Sequence, residues 1–341
     1  MPERIYDSRN GGNTEDRVLV FGTRRNLEFL ARSDIWFLDG TFKTSPTIFT
    51  QIFTILGTSK NLNPNPGDND AHADVAFPFI YALLTSKSSV QYTAVLEAVR
   101  SAADDYRIEN CKPRKIITDF ELAILNSSSN VFPDVHISAC FYHLGQSVCR
   151  QIQFEGLQRE YNDATNRNVK MYTHMMLALA YVPPDDVKFA FSLLKESIPE
   201  ALSPIFDYFE LNYVLGKPGR GRRRAILPRY PISIWNQYEA TINGSHRTNN
   251  TSEGWHNRFR LVIGKYLPDL YSLLHEFQKE QADTESMLFE LSMGRTVKNK
   301  PEKKWITLKI RLQSIAGTFQ VYKDEHRIMD YLRAAACIIA L

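Results

Sequence analysis

Three acids stand where they could do chemistry together. Asp39 closes the short apolar run Ile35, Trp36, Phe37, Leu38 and is followed by Gly40, Thr41 and Phe42. Asp119 closes a second apolar run at residues 115–120, and Glu253 opens a polar-flanked helical stretch far downstream. Carboxylates are hard oxygen ligands of the kind Mg²⁺ or Mn²⁺ prefers. Two such ions about 4 Å apart can activate a water and stabilise the leaving oxygen of a phosphodiester. Any one of these acids alone reads better as a turn or capping residue. As a set they say more, because two end buried strands and the third starts a helix. Glu121, two residues past Asp119, is the second-choice ligand.

The surroundings of Glu253 carry further polar groups. Asn250, Thr251 or Ser252 can cap the helix, which puts Glu253 in the first turn, where the helix dipole favours an anion. Arg247, Asn249 and His256 would suit phosphate and base contacts beside a reaction centre. Upstream, Lys217 and Arg229 bracket a glycine-interleaved basic run with Arg220, Arg222, Arg223 and Arg224. It fits a phosphate-binding loop or a nuclear import signal, and the location expected is the nucleus. No Gly-Lys-Ser/Thr ends the run, so it is not a P-loop. Trp36, Trp235 and Trp305 read as core, as do Met171, Met175 and Met176, while Trp255 beside Glu253 could be either core or base-stacking platform.

The acids need rigid elements to converge on. Residues 35–39, 47–57 and 75–85 read as three strands with short helix-free connections, and so as an antiparallel meander. A helix follows, capped by Ser88 or Ser89, with Tyr92, Val95, Leu96 and Val99 at helical spacing. Residues 115–120 form a fourth strand and 135–141 a fifth, each followed by a helix. This order predicts an α/β fold, a mixed five-stranded sheet flanked by helices. The ribonuclease H-like fold has this order, and in it the fourth strand lies parallel beside the first. Asp39 and Asp119 would then meet by analogy with that fold.

The expected organisation is a flexible lead-in over 1–28, the first part of the core over 29–154, and an all-helical insertion with the basic loop over 155–245. The last part of the core, carrying the Glu253 helix, spans 246–295. A tail over 296–341 holds one β-like segment and a final helix.

Composition bounds the rest. The 341 residues are 43% hydrophobic and 23% charged, which is globular usage, and the net charge of +3 is too small to argue nucleic-acid binding without local clustering. The four cysteines form no Cys-x-x-Cys pair and suit a reducing compartment. No segment reads as a signal peptide or a membrane span, so four Asn-x-Ser/Thr sequons read as chance and no membrane partner is expected.

Four motifs in order carry a family resemblance. They are Asp-Gly-Thr-Phe at 39–42, Thr-Asp-Phe-Glu at 118–121, Cys-Phe-Tyr-His at 140–143, and Arg-Thr-Asn-Asn-x-x-Glu-Gly-Trp-His at 247–256. With these, residues 30–295 resemble the Mutator-like element (MULE) transposases. The resemblance implies a DDE triad of Asp39, Asp119 and Glu253 on a ribonuclease H-like core. It implies a two-metal Mg²⁺ or Mn²⁺ site, and DNA cleavage and joining by attack of water and then of a 3′-hydroxyl. Transposon ends and target DNA are the partners, and a homo-oligomer is expected. Cys140 and His143 match the family's Cys-x-x-His signature. A structural zinc would need two more ligands, for which His136 and Cys149 are the neighbours in sequence, and is not expected. Family members usually carry a zinc-binding DNA module ahead of the core, and no matching cysteine and histidine set precedes Asp39. The sequence therefore also admits a fragment, a truncated copy or a host-adopted relative. The rival function is a catalytically silent, transposase-derived DNA-binding or scaffold protein, and a ribonuclease H-like nuclease unrelated to mobile elements ranks third.

Overall fold

The computed structural model describes residues 3–8, 16–59, 75–219, 224–264, 268–295, 297 and 303–339. Arg220, Arg222 and Arg223 of the basic run lie outside these. The chain divides into two compact units, one of residues 1–137 with 249–300 and one of residues 138–248 with 301–341.

The first unit carries the sheet. In chain order its elements are β1 (Glu3–Asp7), β2 (Val18–Gly22), α1 (Arg24–Ala31), β3 (Ile35–Thr41), β4 (Gln51–Ser59), β5 (Val75–Leu84), α2 (Ser89–Asp105), β6 (Lys115–Thr118) and α3 (Leu122–Val131). β7 (His136–Ala139) runs across the boundary between the units. The strand order is β1-β2-β5-β4-β3-β6-β7. β3, β4 and β5 pair antiparallel, as the meander requires, while β3 pairs parallel with β6, Ile35 to Phe37 lying opposite Lys115 to Ile117. This is a mixed sheet flanked by helices.

Local chemistry explains the elements. Every residue of β5 and nearly every residue of β4 is buried, as expected for central strands covered on both faces. β5 nevertheless contains Pro78, which has no N–H to give to the ladder. The register slips there, Ile55 facing Ile80 while Leu56 faces Pro78. Ser88 caps α2 by accepting from the Gln91 N–H, and Tyr92, Val95, Leu96 and Val99 are all buried along one face.

Seven strands stand where five were expected. The two additional ones come from the stretch read as a flexible lead-in. Val18, Leu19, Val20 and Phe21 form a buried apolar run that pairs antiparallel with the outer edge of β5. β1 then pairs with β2, held by Arg17 and Arg4 on Asp7. The apolar run was visible in the sequence, whereas the charged β1 is a strand only because β2 gives it an edge to pair with.

The second unit is helical. After α4 (Phe141–Phe154) come helices over Asn168–Ala178, Val187–Lys195 and Ser203–Phe209. The last continues into a π-helical turn, Glu210–Val214, and the chain leaves it through Gly216 at φ +75°. The core here is aromatic: Tyr213 stacks on Phe209 and Tyr230, and Trp235 packs edge-on to Phe209. Met175 and Met176 are fully buried, while Met171 is only partly so. The β-like segment expected in the tail is instead a helix, Lys303–Gly317, which buries Leu312 and Ala316 one turn apart. Packing of that face overrides the β propensity of its branched residues. Trp305 is 54% exposed and not a core residue.

Candidate active site

β3 delivers Asp39 at the point where the strand leaves the core. Trp36, Phe37 and Leu38 are fully buried, whereas the Asp39 side chain keeps 13% of its surface. β6 does the same for Asp119, one residue beyond its end, after buried Ile116, Ile117 and Thr118. Because β3 and β6 run parallel and adjacent, the two acids stand toward the same end of the sheet. The turn after β6 is fixed by Asp119, whose Oδ1 accepts the Glu121 N–H at 3.0 Å.

Glu253 enters from a helix, Asn250–Ile263, and occupies its first turn as expected. Asn249, not one of the three predicted residues, holds the cap position, and the Glu253 N–H is donated to its carbonyl at 3.1 Å. Ser252, Trp255, His256 and Phe259 form the buried face of this helix. Trp255 stacks on Phe259, which stacks on Phe277 of the helix Leu270–Ser292. The indole N–H of Trp255 is donated to Glu280 at 2.7 Å, and Arg258 pairs with the same buried carboxylate. Trp255 is therefore a core anchor of the Glu253 helix and not a stacking platform.

The electrostatics tie the acids together. Asp39 is pushed up to about 8, first by burial, then by Asp119, and further by Glu253 and Glu121, against a lowering hydrogen bond from the Gly40 N–H. Glu121 is also raised, by burial and by Asp119, while Tyr92 and Lys87 hold it down. Four carboxylates thus share one field, and without a counter-charge one of them keeps its proton near neutral pH.

His256 belongs to this cluster. One turn from Glu253, it is 9% exposed, with Nε2 lying 3.4 Å from Asp39 Oδ2 and 3.4 Å from Thr54 Oγ1. Burial holds its imidazole down to about 4, so it is neutral at pH 7. Asn249 is fully buried. Both were expected as phosphate or base contacts, and both side chains are instead turned inward, His256 against the carboxylate it neighbours. The helical face that buries Trp255 also carries His256.

Two residues the sequence reading used only for structure serve the site. Tyr92 of α2 donates its hydroxyl to Glu121 Oε1 at 2.7 Å, and Gln51 of β4 donates Nε2 to the same hydroxyl at 2.7 Å. Gln51 is fully buried and lies against Gly40, where any side chain would collide with its Oε1. The glycine after Asp39 thus has a steric reason. The helical spacing of Tyr92 predicted its burial, and nothing in that spacing told of its hydroxyl.

In the second unit, Cys140 is fully buried at the start of α4, and His143 sits half-buried in the first turn. The Phe141 N–H is donated to the Arg247 carbonyl at 3.3 Å, and Arg247 Nη1 reaches Thr241 Oγ1 at 3.4 Å. Arg224, Lys217 and Arg229 are exposed, as a basic loop requires.

Among the described residues, no helix is long and apolar enough to cross a membrane. No curated protein matches the chain. The model of the MULE transposase domain matches residues 35–147. That span holds Asp39, Asp119, Glu121, Cys140 and His143, and ends before Glu253. Over residues 35–147 the chain therefore carries a domain of the MULE transposase family.

Proposed function

We propose that this chain is a DDE-type transposase catalytic domain on a ribonuclease H-like core, with Asp39, Asp119 and Glu253 as its metal-holding acids and Glu121 as a fourth. The observation that carries the reading is the parallel pairing of β3 with β6, which sets Asp39 beside Asp119, with Asp39 raised to about 8 first by burial and then by Asp119, Glu253 and Glu121. The order β5-β4-β3-β6-β7, three antiparallel strands with β6 parallel beside the first, supports the core assignment.

The donor set fits a hard divalent cation. It is all oxygen, anionic and partly buried, and it is strained by its own repulsion until a cation arrives. Mg²⁺ or Mn²⁺, when bound, activates the attacking oxygen and stabilises the leaving one. The chain's own residues set the geometry. Gly40 N–H fixes Asp39 Oδ1 at 2.9 Å, and the turn hydrogen bond fixes Asp119. Tyr92, itself held by Gln51, donates its hydroxyl to Glu121 and so orients that carboxylate. His256, neutral and buried, stands 3.4 Å from Asp39 Oδ2 without adding a competing charge. DNA as substrate, a nuclear location and a homo-oligomer go with this reading.

The test is cleavage of supercoiled and linear DNA with Mg²⁺ and with Mn²⁺. The wild type should nick DNA only with divalent cation, and Asp39→Asn or Glu253→Gln should abolish it. A wild type that binds DNA yet never cuts it, across metals and end sequences, would favour the silent DNA-binding reading.

A further inference from the structure

The acids create a problem for the substrate assigned to them. A phosphodiester strand is an anion and must approach a cluster of carboxylates. Lys87 is a cation placed beside that cluster: it follows Ser86, whose carbonyl accepts from Gln51 Nε2, the amide that also donates to the Tyr92 hydroxyl bound to Glu121. It is exposed in the turn between β5 and α2, and its Nζ sits 3.7 Å from the centroid of the Phe42 ring. Phe42 lies three residues beyond Asp39 and is 40% exposed.

Both residues stand on ordered backbone. The Lys87 turn is pinned by Gln51 Nε2 on the Ser86 carbonyl at 3.3 Å, by Gln91 Oε1 accepting the Ser86 N–H at 3.0 Å, and by Thr50 Oγ1 on the Thr85 carbonyl at 2.6 Å. The Phe42 loop is closed by the Ser45 N–H on the Phe42 carbonyl at 3.3 Å and by Ser45 Oγ on the Phe49 carbonyl at 3.1 Å. Gln51 thus braces the lysine turn with the same amide that holds the Tyr92 hydroxyl.

An aromatic face attracts an ammonium and partly dehydrates it, while leaving its remaining N–H donors free to point elsewhere. We propose that Lys87, seated on Phe42, is a phosphate contact for the DNA strand that lies across the acids. The ring holds the ammonium at the mouth of the site, and the ammonium pairs with a backbone phosphate next to the reacting one. The contact reads charge and not base, so it acts alike on all sequences. This inference rests on the reading of the acids as a DNA-cutting site.

Fluorescence anisotropy of labelled DNA duplexes, with Ca²⁺ as the cation and salt varied, tests it. Lys87→Ala should weaken binding several-fold on every duplex and lower the slope of log K against log salt by about 1. Lys87→Arg should restore the slope. Phe42→Ala, which keeps the charge and loses its seat, should weaken binding while keeping most of the slope. Lys112→Ala, an exposed lysine in the same unit, is the control and should match the wild type. Wild-type affinity and slope in Lys87→Ala, or an equal loss in Lys112→Ala, would overturn the inference and leave the cleavage reading standing. A wild type that binds no DNA at all would overturn both.

Discussion

Two polar clusters, one in each unit, are built in opposite ways. In the helical unit, a cluster of half-buried and buried polar groups closes on neutral partners. The Ser147 hydroxyl lies 2.9 Å from that of Tyr208 and 2.7 Å from that of Tyr213. Gln237 Nε2 is donated to the Ala139 carbonyl at 3.0 Å, and the Tyr331 hydroxyl to the Tyr181 carbonyl. All these partners are neutral, and the pairing is what makes their burial tolerable. In the sheet unit, buried polarity runs outward from Gln51 through Tyr92 to Glu121 and ends on carboxylates that repel one another. A neutral closed network is sufficient to itself. A charged open one implies something that completes it.

This contrast can be broken at several places. The largest effect belongs to the acids. Asp39→Asn, Asp119→Asn and Glu253→Gln should each lower metal-dependent nicking by at least ~10³-fold, because each removes charge stabilisation specific to the reacting state. Gel assays on supercoiled DNA measure this, and retention of activity within a few-fold in any of the three would remove that residue from the site. In the helical unit, Trp235→Ala should cost about 3–5 kcal/mol of stability, since the ring is fully buried among Phe209 and Tyr213. Denaturant melts read that loss. A loss under ~1 kcal/mol would contradict the packing account.

Tyr92→Phe sharpens the comparison, because it deletes one hydroxyl and keeps the ring packed on Phe53. It should reduce nicking by about tenfold and raise the Mn²⁺ concentration needed, while Tyr213→Phe in the closed network should cost about 1 kcal/mol of stability. Equal metal requirements in wild type and Tyr92→Phe would reduce the role of Tyr92 to packing.

Acidity offers the smallest and most specific effect. Metal-free folded protein keeps a proton on Asp39 up to about 8, and the unfolded chain gives it up near the ordinary value of 3.8, so stability falls as pH rises through that window. His256 acts oppositely. Its folded value of about 4 against 6.5 makes stability rise between those values. Between pH 6.5 and 8 only the Asp39 fall remains of the two. Thermal melts at these two pH values should show lower stability at the higher, and Asp39→Asn or saturating Mn²⁺ should flatten the difference.

Much of this was legible in the sequence where the signal was local. The apolar runs ending in Asp39 and Asp119, the Ser88 cap and the first-turn position of Glu253 all follow from neighbours in the chain. The parallel pairing of β3 and β6 came from analogy, since periodicity carries no strand order. What was not legible depends on neighbours distant in sequence. β1 needs β2 to be a strand at all. His256 turns inward because Trp255 and Phe259 anchor its helix on Phe277. Gln51 meets Tyr92, and Tyr92 meets Glu121, only after separate parts of the chain have packed.

Calorimetric titration of metal-free protein with Mn²⁺ at pH 7, in buffers of different ionisation enthalpy, is the most direct measurement of whether these carboxylates form a cation site. Wild type should bind Mn²⁺ and release about one proton as Asp39 ionises, and Asp39→Asn should bind more weakly and release none. Equal affinity and equal proton release in wild type and in the combined Asp39→Asn, Asp119→Asn, Glu253→Gln protein would contradict the account.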